Sequence, residues 1–493
     1  VSGPAPLLRH APAQLRPDPR RVVERLFLPG EDLPTTRSRA GAVIGRLLAL
    51  PESEVEDLAA GLLRDFAHRH RDYPAVLDRH AWIVHSHLGE ALHLSTARAL
   101  LVGASFTAEY AVEAAALCNP SAVLHPDQTG LRPGQARVAV SLRGIGEGHV
   151  SSIGFCAAVV GPGPRWSFEP RRLPAVAGSA TAGTWRREHL RAVLAEEVGL
   201  DEVSATVLSA LPPQFTAADF EQALAEAPPD LMAHPGGHGT VDVLRRLVST
   251  AYDVDFPVGV ELDQQVLLPT ASEESNGMED ARFVRFVDDD GSVDYRATYT
   301  AYDGHRIEPR LLTSPDMRAF RAHRMAGPAA RNKGMALFPR RVGGQYMTLC
   351  RCDGESTSLA SSPDGYVWGE PRTVHAPTAS WEVLQVGNCG PPIATDRGWL
   401  VLTHGVGAMR TYTIGAILLD QDDPVRMIAR LEQPLLRPGP EERDGYVPNV
   451  VYSCGGLVHD GLLWLPYGIG DARIGVAWVP VGELLDGMSA VPA

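Results

Sequence analysis

Cysteine is scarce: Cys118, Cys156, Cys350, Cys352, Cys389 and Cys454 are the six in 493 residues, and they lack the paired spacing of a zinc ribbon or a secreted disulfide framework. They read as free, mostly buried thiols. No apolar run reaches the ~20 residues that span a bilayer. The N-terminus has no charged segment leading into an apolar core and cleavage site, so the sequence reads as cytoplasmic with no membrane partner. An excess of positive charge is also missing. Lys plus Arg number 45 against 59 Asp plus Glu, a formal charge of −14, which argues against nucleic acid as the main partner. A small neutral or locally guided ligand fits better. What is present is an ordinary globular composition, 44% hydrophobic and 21% charged, in a chain long enough for two or three packed units.

Residues 1–116 read as an N-terminal arm followed by a helical region. Pro51-Glu52-Ser53-Glu54 opens a helix with Val55, Leu58, Leu62 and Phe66 on one face, and Thr107 is expected to cap another containing Tyr110, Val112 and Ala115. His68, His70, His85 and His87 suggest a metal, but each pair has i,i+2 spacing, which on a helix points side chains apart. Solvated or capping histidines are the plainer reading, and no metal is expected. Residues 117–493 change to short apolar runs broken by Gly, Asp and Pro, the mark of antiparallel strands. A helical insertion at about 184–251 interrupts them.

The strand-rich part resembles itself. Ala281 to Ser314, Met335 to Gly365, Pro391 to Leu419 and Gly455 to Val479 each read as strand, tight turn, strand, loop, strand, and Asn119 to Val160 supplies a fifth unit. The fold class expected from this recurrence is mainly β, a five-bladed β-propeller with an N-terminal helical region and a helical insertion. A β-sandwich would explain the strands but not the regular interval.

Polar clusters stand at the starts of these units. The densest is Asn276-Gly277-Met278-Glu279-Asp280-Ala281-Arg282. Others are Asn119-Pro120-Ser121 with Arg143 to His149, Arg331-Asn332-Lys333, Gly387 to Pro391, and Val447 to Val451. Adjacent carboxylates and arginines cannot be packed as apolar groups, so they face a cleft or satisfy one another. Taken alone, Glu-Asp-x-Arg reads as an ion-paired corner. Five such clusters brought to one end of a ring would make a sugar pocket.

The ordered strings Asn276 to Arg282, Thr298 to Tyr302, Asn332-Lys333 before Leu337-Phe338-Pro339, Gly390 to Ile393, His404-Gly405-Val406, Val447 to Val451, and Asp471-x-Arg473 resemble family 130 of the glycoside hydrolases. That family contains β-mannoside phosphorylases and some β-mannosidases on five-bladed propellers. The resemblance runs from about Asn119 to the C-terminus, the insertion excepted. It implies inverting phosphorolysis of a β-linked manno-oligosaccharide to α-mannose 1-phosphate and a shortened sugar. Inorganic phosphate would be co-substrate, and no metal or nucleotide cofactor is implied. By the same likeness Asp280 is the general acid, passing its proton through the 3-hydroxyl of the mannosyl unit. Asp471 holds hydroxyls of that unit, with Asn119, Ser121, Glu279 and Tyr302 also on the substrate side. Arg143, Lys333, Arg351 and His404 are the candidates for the phosphate seat, with Arg331 close in sequence.

Physical reasoning adds that Glu279 beside Asp280 should raise one of the two pKa values, leaving Arg282 to orient Glu279 or an anionic substrate. Glu308, in Arg306-Ile307-Glu308-Pro309-Arg310, departs from the pattern. It reads as the base of an inverting β-mannosidase that uses water, or as an ion-pair partner of Arg306 or Arg310. Three functions therefore stay open: phosphorylase, hydrolase, and a sugar-binding propeller without turnover. Proton-donor chemistry at Asp280 disfavours the last. Gly144-x-Gly146-x-Gly148 lacks the helix and Lys-Ser/Thr of a nucleotide loop, and no Gly-x-Ser-x-Gly or His-Glu-x-x-His motif occurs. The helical arm and insertion either cover the pocket or build a homo-oligomer interface.

Overall fold

The structure, a computed structural model, describes residues 7–28, 39–88, 94–232 and 237–491. The chain forms two compact units. One comprises Val1–Pro17, Ala115–Arg171 and Gly178–Ala493, the other Asp18–Ala114 and Arg172–Ala177.

In the smaller unit, strands Val22–Leu26 and Thr107–Ala111 pair antiparallel beside helices that include Arg39–Leu48, Glu52–Phe66, Tyr73–Leu88 and Thr96–Ser105. Ala40, Ile44, Ala81, Val84, Val102 and Phe106 form its core. Glu52 and Glu54 sit in the first turn of their helix, where they meet the positive end of its dipole. That helix buries Val55 and Ala59, while the expected Leu58 is exposed. Thr107 caps no following helix. It opens a strand, and its hydroxyl donates to Gly103 O at 2.7 Å at the end of the preceding helix, whose own N-cap is Ser95. So short a run, with Tyr110 between Glu109 and Ala111, suits a strand as well as a helix, and pairing decides it. His70 lies between Glu24 (3.2 Å) and Glu109 (2.7 Å); burial lowers its pKa, but the two carboxylates outweigh that and raise it. The His87 side chain lies outside the described residues.

The larger unit contains the recurring antiparallel groups. They are Ala116–Leu124, Ala136–Ile145 and Ser151–Val160; Gly277–Val287, Val293–Tyr302, Ile307–Ser314 and Ala319–Arg324; Ala336–Leu337, Tyr346–Cys350, Thr357–Ser362 and Arg372–His375. The remaining two are Gln385–Asn388, Gly398–Val406, Tyr412–Leu419 and Met427–Arg430, and Val451–Tyr452, Leu462–Ile469 and Arg473–Pro480. Each unit expected from sequence contains antiparallel strands, while Ala319–Arg324, Arg372–His375, Gln385–Asn388 and Met427–Arg430 are additional to the expected ones.

Their assembly corrects the expected five-bladed propeller. The described strands fall into sheets of twelve, six, five and four strands with two two-stranded ribbons, so the fold is mixed α/β with several sheets, none closed or curled into a propeller. The first two groups merge because Gly277 pairs in parallel with Ser151. Tyr252–Asp255 and Ser179–Ala182 then extend the same sheet beyond Ala319–Arg324. The N-terminal arm is also part of a sheet, with Arg9–Leu15 paired to Arg473–Pro480. Recurrence reports the hairpins, which are local. It does not report which hairpin edges join.

Residues 187–248, between strands Ser179–Ala182 and Tyr252–Asp255 of the largest sheet, are largely helical. Helices Arg187–Glu197, Glu202–Ala210, Ala217–Glu226 and Gly237–Val248 enclose Leu190, Leu194, Val207, Phe220, Leu244 and Leu247. Asp201 and Thr216 cap two of them through capping boxes with Ser204 and Asp219.

Candidate active site

Two strands bulge where their chemistry lies. In Ala116–Leu124 the register shifts between Cys118 and Ser121, and Asn119 takes φ +49°. In Gly277–Val287 it shifts between Glu279 and Arg282, and Asp280 takes φ +56°. A bulge re-aims a side chain that regular pleating would direct elsewhere, and Asn and Asp tolerate the left-handed conformation best among residues with a Cβ. The Asn119 amide meets the Asp280 carboxylate at 2.5 Å. Asp471 (φ +47°) takes the same left-handed conformation, not in a bulge but in the turn between strands Leu462–Ile469 and Arg473–Pro480.

A cavity of about 550 Å³ gathers Asn119, Arg143, Asp280, Lys333, Arg351, His404 and Asp471. Arg143 bridges the carboxylate pair, donating from Nη2 to Glu279 Oε1 at 2.6 Å and from Nη1 to Asp280 Oδ1 at 3.2 Å. Lys333 Nζ donates to Glu279 Oε2 at 2.6 Å. Glu279 is thus the buried anchor of two cations. Arg351 Nη1 donates to His404 Nε2 at 3.3 Å, and no carboxylate pairs with Arg351 among the described residues. Burial, then Arg351 and Arg282, push the His404 pKa well down, so His404 enters the site as a neutral ring and adds no charge to an anion seat.

The carboxyl pKa values reverse the expectation. Burial alone would raise Asp280, but Arg143, Arg282, Lys333 and the Asn119 amide outweigh it and hold Asp280 at about 2. The raised carboxyl is Asp471, pushed to about 6 by burial, with Arg143 opposing and Asp280 and Glu279 adding to it. Asp471 Oδ1 is buried without a hydrogen-bond partner among the described residues. Arg282 also differs from expectation. Instead of orienting Glu279 or facing a substrate, it is fully buried with Nη2 3.7 Å from Asp280 Oδ2. It donates to Cys389 O, Asp280 O and the Tyr452 hydroxyl, each at 2.9 Å, and so ties its own strand to strand Val451–Tyr452 and to the residue after strand Gln385–Asn388.

Other expected residues stand outside the cavity lining. Ser121 is wholly buried, and its Oγ accepts from Phe283 N at 3.1 Å, which pins the two bulged strands together. The Tyr302 ring lies 5.9 Å from Lys333 Nζ, and its hydroxyl donates to Gly304 O. Glu308 is elsewhere: it faces Arg324 at 3.4 Å, and Arg324 also pairs with Glu197 of the insertion at 2.5 Å. Neither Arg306 nor Arg310 is its partner by ion-pair distance, since Arg310 binds Glu274 at 2.9 Å.

The lining also includes Gln385, Met409, Arg410, Tyr412 and Tyr452, which sequence reasoning had not singled out. Met409 and Arg410 sit at the tip of a hairpin, where neither periodicity nor charge pairing marks a residue. The one available signal was Gly407 ahead of them.

A family profile described as beta-1,4-mannooligosaccharide phosphorylase matches residues 254–490. A 1,2-beta-oligomannan phosphorylase from a Thermoanaerobacter species is 35% identical over 232 residues, covering 46% of this chain and 75% of that protein. A beta-1,2-mannobiose phosphorylase from the same organism is 33% identical over 219 residues, covering 44% and 70%. The solved structure of beta-1,2-mannobiose phosphorylase from Listeria innocua, in complex with beta-1,2-mannobiose, aligns over 77% of this chain and 92% of that one, with 20% identity and a TM-score of 0.45. The class so defined is that of enzymes that cleave glycosidic bonds. The chain belongs to family 130 of the glycoside hydrolases, the mannoside phosphorylases and hydrolases.

Proposed function

We infer that this enzyme is a β-mannoside phosphorylase, which cleaves β-mannosidic linkages with inorganic phosphate and releases mannose 1-phosphate. The observation that carries the reading is one cavity in which a carboxylate, Asp280, shares its wall with Arg143, Lys333 and Arg351. A neutral sugar needs hydroxyl-binding groups, and Asn119 and Asp471 supply them. A dianionic co-substrate needs fixed positive charge, and Arg351, free of a carboxylate partner among the described residues, offers it without first breaking an ion pair.

In this reading the glycosidic C1–O bond breaks as a phosphate oxygen bonds to C1 from the opposite face. Hydrogen phosphate carries in a proton that passes to Asp280; Asp280 relays it through the mannosyl 3-hydroxyl to the leaving oxygen and ends ionised as it began, so the shortened sugar gains the proton that the phosphate loses. Asp280 starts as the ionised partner of Arg143. Phosphate competes for the same cations, and its negative charge raises the cost of ionising Asp280, so acid strength and co-substrate binding are linked. Because two relatives act on β-1,2 links by name, β-1,2-mannobiose is the first substrate to assay. The test of the acid is Asp280→Asn, which keeps the amide contact geometry and removes the proton. Turnover is expected to fall about 100-fold or more, beyond what the accompanying loss of the Asp280 ion pairs costs in stability, with the fold retained; near-normal turnover contradicts the role.

A further inference from the structure

Two thiols flank one cation of the cavity wall. Cys350 ends strand Tyr346–Cys350, Arg351 follows it into the cavity lining, and Cys352 enters the turn beyond. Both cysteines pack on the apolar cluster of Leu337, Ala360 and Trp368, Cys350 wholly buried and Cys352 at its edge. Cys352 alone among the six free cysteines is not buried. The two thiols hydrogen-bond to each other, and Cys352 Sγ also takes the Arg331 amide and lies 3.2 Å from Ala329 O. The bond from Cys350 lowers the Cys352 pKa, with burial opposing and the Arg331 amide assisting, while the same bond and burial raise that of Cys350. Arg351 between them is held by shape and not by an ion pair. Its stem fits against two glycines, where an added Cβ would stand 3.2 Å from Arg351 Cδ at Gly387 and 3.7 Å from Arg351 Cβ at Gly334. Its Nε is buried without a hydrogen-bond partner among the described residues, and its Nη1 rests on the neutral His404 ring. A guanidinium so held moves with its backbone.

A partly accessible thiol of lowered pKa with a second thiol two residues away is the arrangement that oxidises to a disulfide, whereas buried thiols are inert. We propose that Cys350 and Cys352 are a redox modification site, at which a low-molecular-weight disulfide forms an intrachain disulfide that displaces Arg351 and weakens phosphate binding. The Cys352 thiolate attacks the small disulfide and one thiolate leaves; Cys350 then gives up its proton, and its Sγ displaces the second from Cys352. One S–S bond forms in the protein as one breaks in the reagent. Two electrons pass to the reagent sulfurs, and the two cysteine protons end on the released thiols. A disulfide brings its Cα atoms to about 4.4–6.8 Å with a torsion of about 90° at the S–S bond, so closing it across a single residue tightens the backbone at Arg351. The effect on phosphate rests on the phosphorolytic reading above.

The test treats the enzyme with oxidised glutathione and follows both the linkage and the kinetics. Trypsin cuts after Arg351, so peptide mapping reads the bond directly: the peptide ending at Arg351 stays joined to the one carrying Cys352 only when the disulfide is present. Treatment is expected to give this linkage, to raise KM for phosphate about 10-fold or more with KM for β-1,2-mannobiose little changed, and to be reversed by dithiothreitol. Cys352→Ser and Cys352→Ala are expected to keep the untreated kinetics and to resist the treatment. Absence of the linkage, linkage with unchanged kinetics, or inhibition that persists in both Cys352 variants overturns the proposal. Cleavage of β-1,2-mannobiose by reduced and oxidised enzyme, with and without phosphate, separates this from the phosphorolytic reading. Reduced enzyme that makes no mannose 1-phosphate contradicts phosphorolysis whatever happens at the cysteines, and a missing linkage contradicts the redox site whatever the product.

Discussion

Lys333 is the only lysine in the sequence; every other fixed cation is an arginine. It sits in the cavity wall with its ammonium 2.6 Å from Glu279, following Asn332 in left-handed backbone at φ +61°. A compact ammonium makes a point contact that a planar guanidinium cannot copy, so Lys333→Arg is expected to lower kcat/KM about 10-fold or more. Amine acetylation, which can reach only this side chain and the N-terminal amine, is expected to inactivate the enzyme, with phosphate protecting it. Full activity after complete acetylation of Lys333 contradicts its place in the site. Asp471 gives a second prediction at this scale. Its pKa of about 6 lies above the ordinary 3.8, so the folded state holds that proton more tightly than the unfolded chain does. The resulting stabilisation is fully present below about 3.8 and is lost as pH rises through about 6, amounting to at most about 3 kcal/mol. Asp471→Asn removes this component. Denaturant unfolding between pH 4 and 6 should therefore show a shallower loss of stability in the variant than in the native enzyme, and identical slopes contradict it. Asp280, held at about 2, works in the opposite sense: its contribution is present above 3.8 and is lost as pH falls toward 2.

Among the elements, strand Gly277–Val287 joins the first two hairpin groups and also carries Glu279 and Asp280. The junction depends on Gly277, whose φ of +139° is closed to residues with a Cβ and where an added Cβ would stand 2.7 Å from Ser151 N. Gly277→Ala is expected to cost about 2–3 kcal/mol in denaturant unfolding and to weaken activity by displacing the Asp280 bulge; native stability would contradict the junction's role. Hairpins such as Val293–Tyr302 with Ile307–Ser314 were legible because alternating apolar residues and Asx-Gly turns are local signals. The Gly277–Ser151 join was not, because it unites residues far apart in sequence through one parallel pairing. The Thr107 segment was misread for the complementary reason: five residues hold too little pattern to separate strand from helix.

For the whole molecule, the family profile begins at residue 254, yet Asn119 and Arg143 come from strands before the helical insertion and complete the charged wall. The insertion is built around its own apolar core, and Glu197 reaches Arg324 from it, so the interruption in sequence leaves the two halves of the site together. Asn119, Arg143, Asp280 and Lys333 were readable because each lies in a short polar string, whereas Arg351, His404 and Asp471 came only with the family resemblance. Their electrostatics were only partly so: Arg282 stands two residues from Asp280 in the chain, but Arg143 and Lys333, which also hold Asp280 ionised, are distant in sequence and meet it only in the fold. A net charge of −14 surrounding a cavity with arginines and a lysine at its wall points to an anion that enters as a reactant. The most direct measurement is the product formed from β-1,2-mannobiose with and without inorganic phosphate, followed by phosphorus and proton NMR. The account predicts phosphate-dependent consumption with α-mannose 1-phosphate as the first anomer seen; release of free mannose at the same rate without phosphate would contradict it.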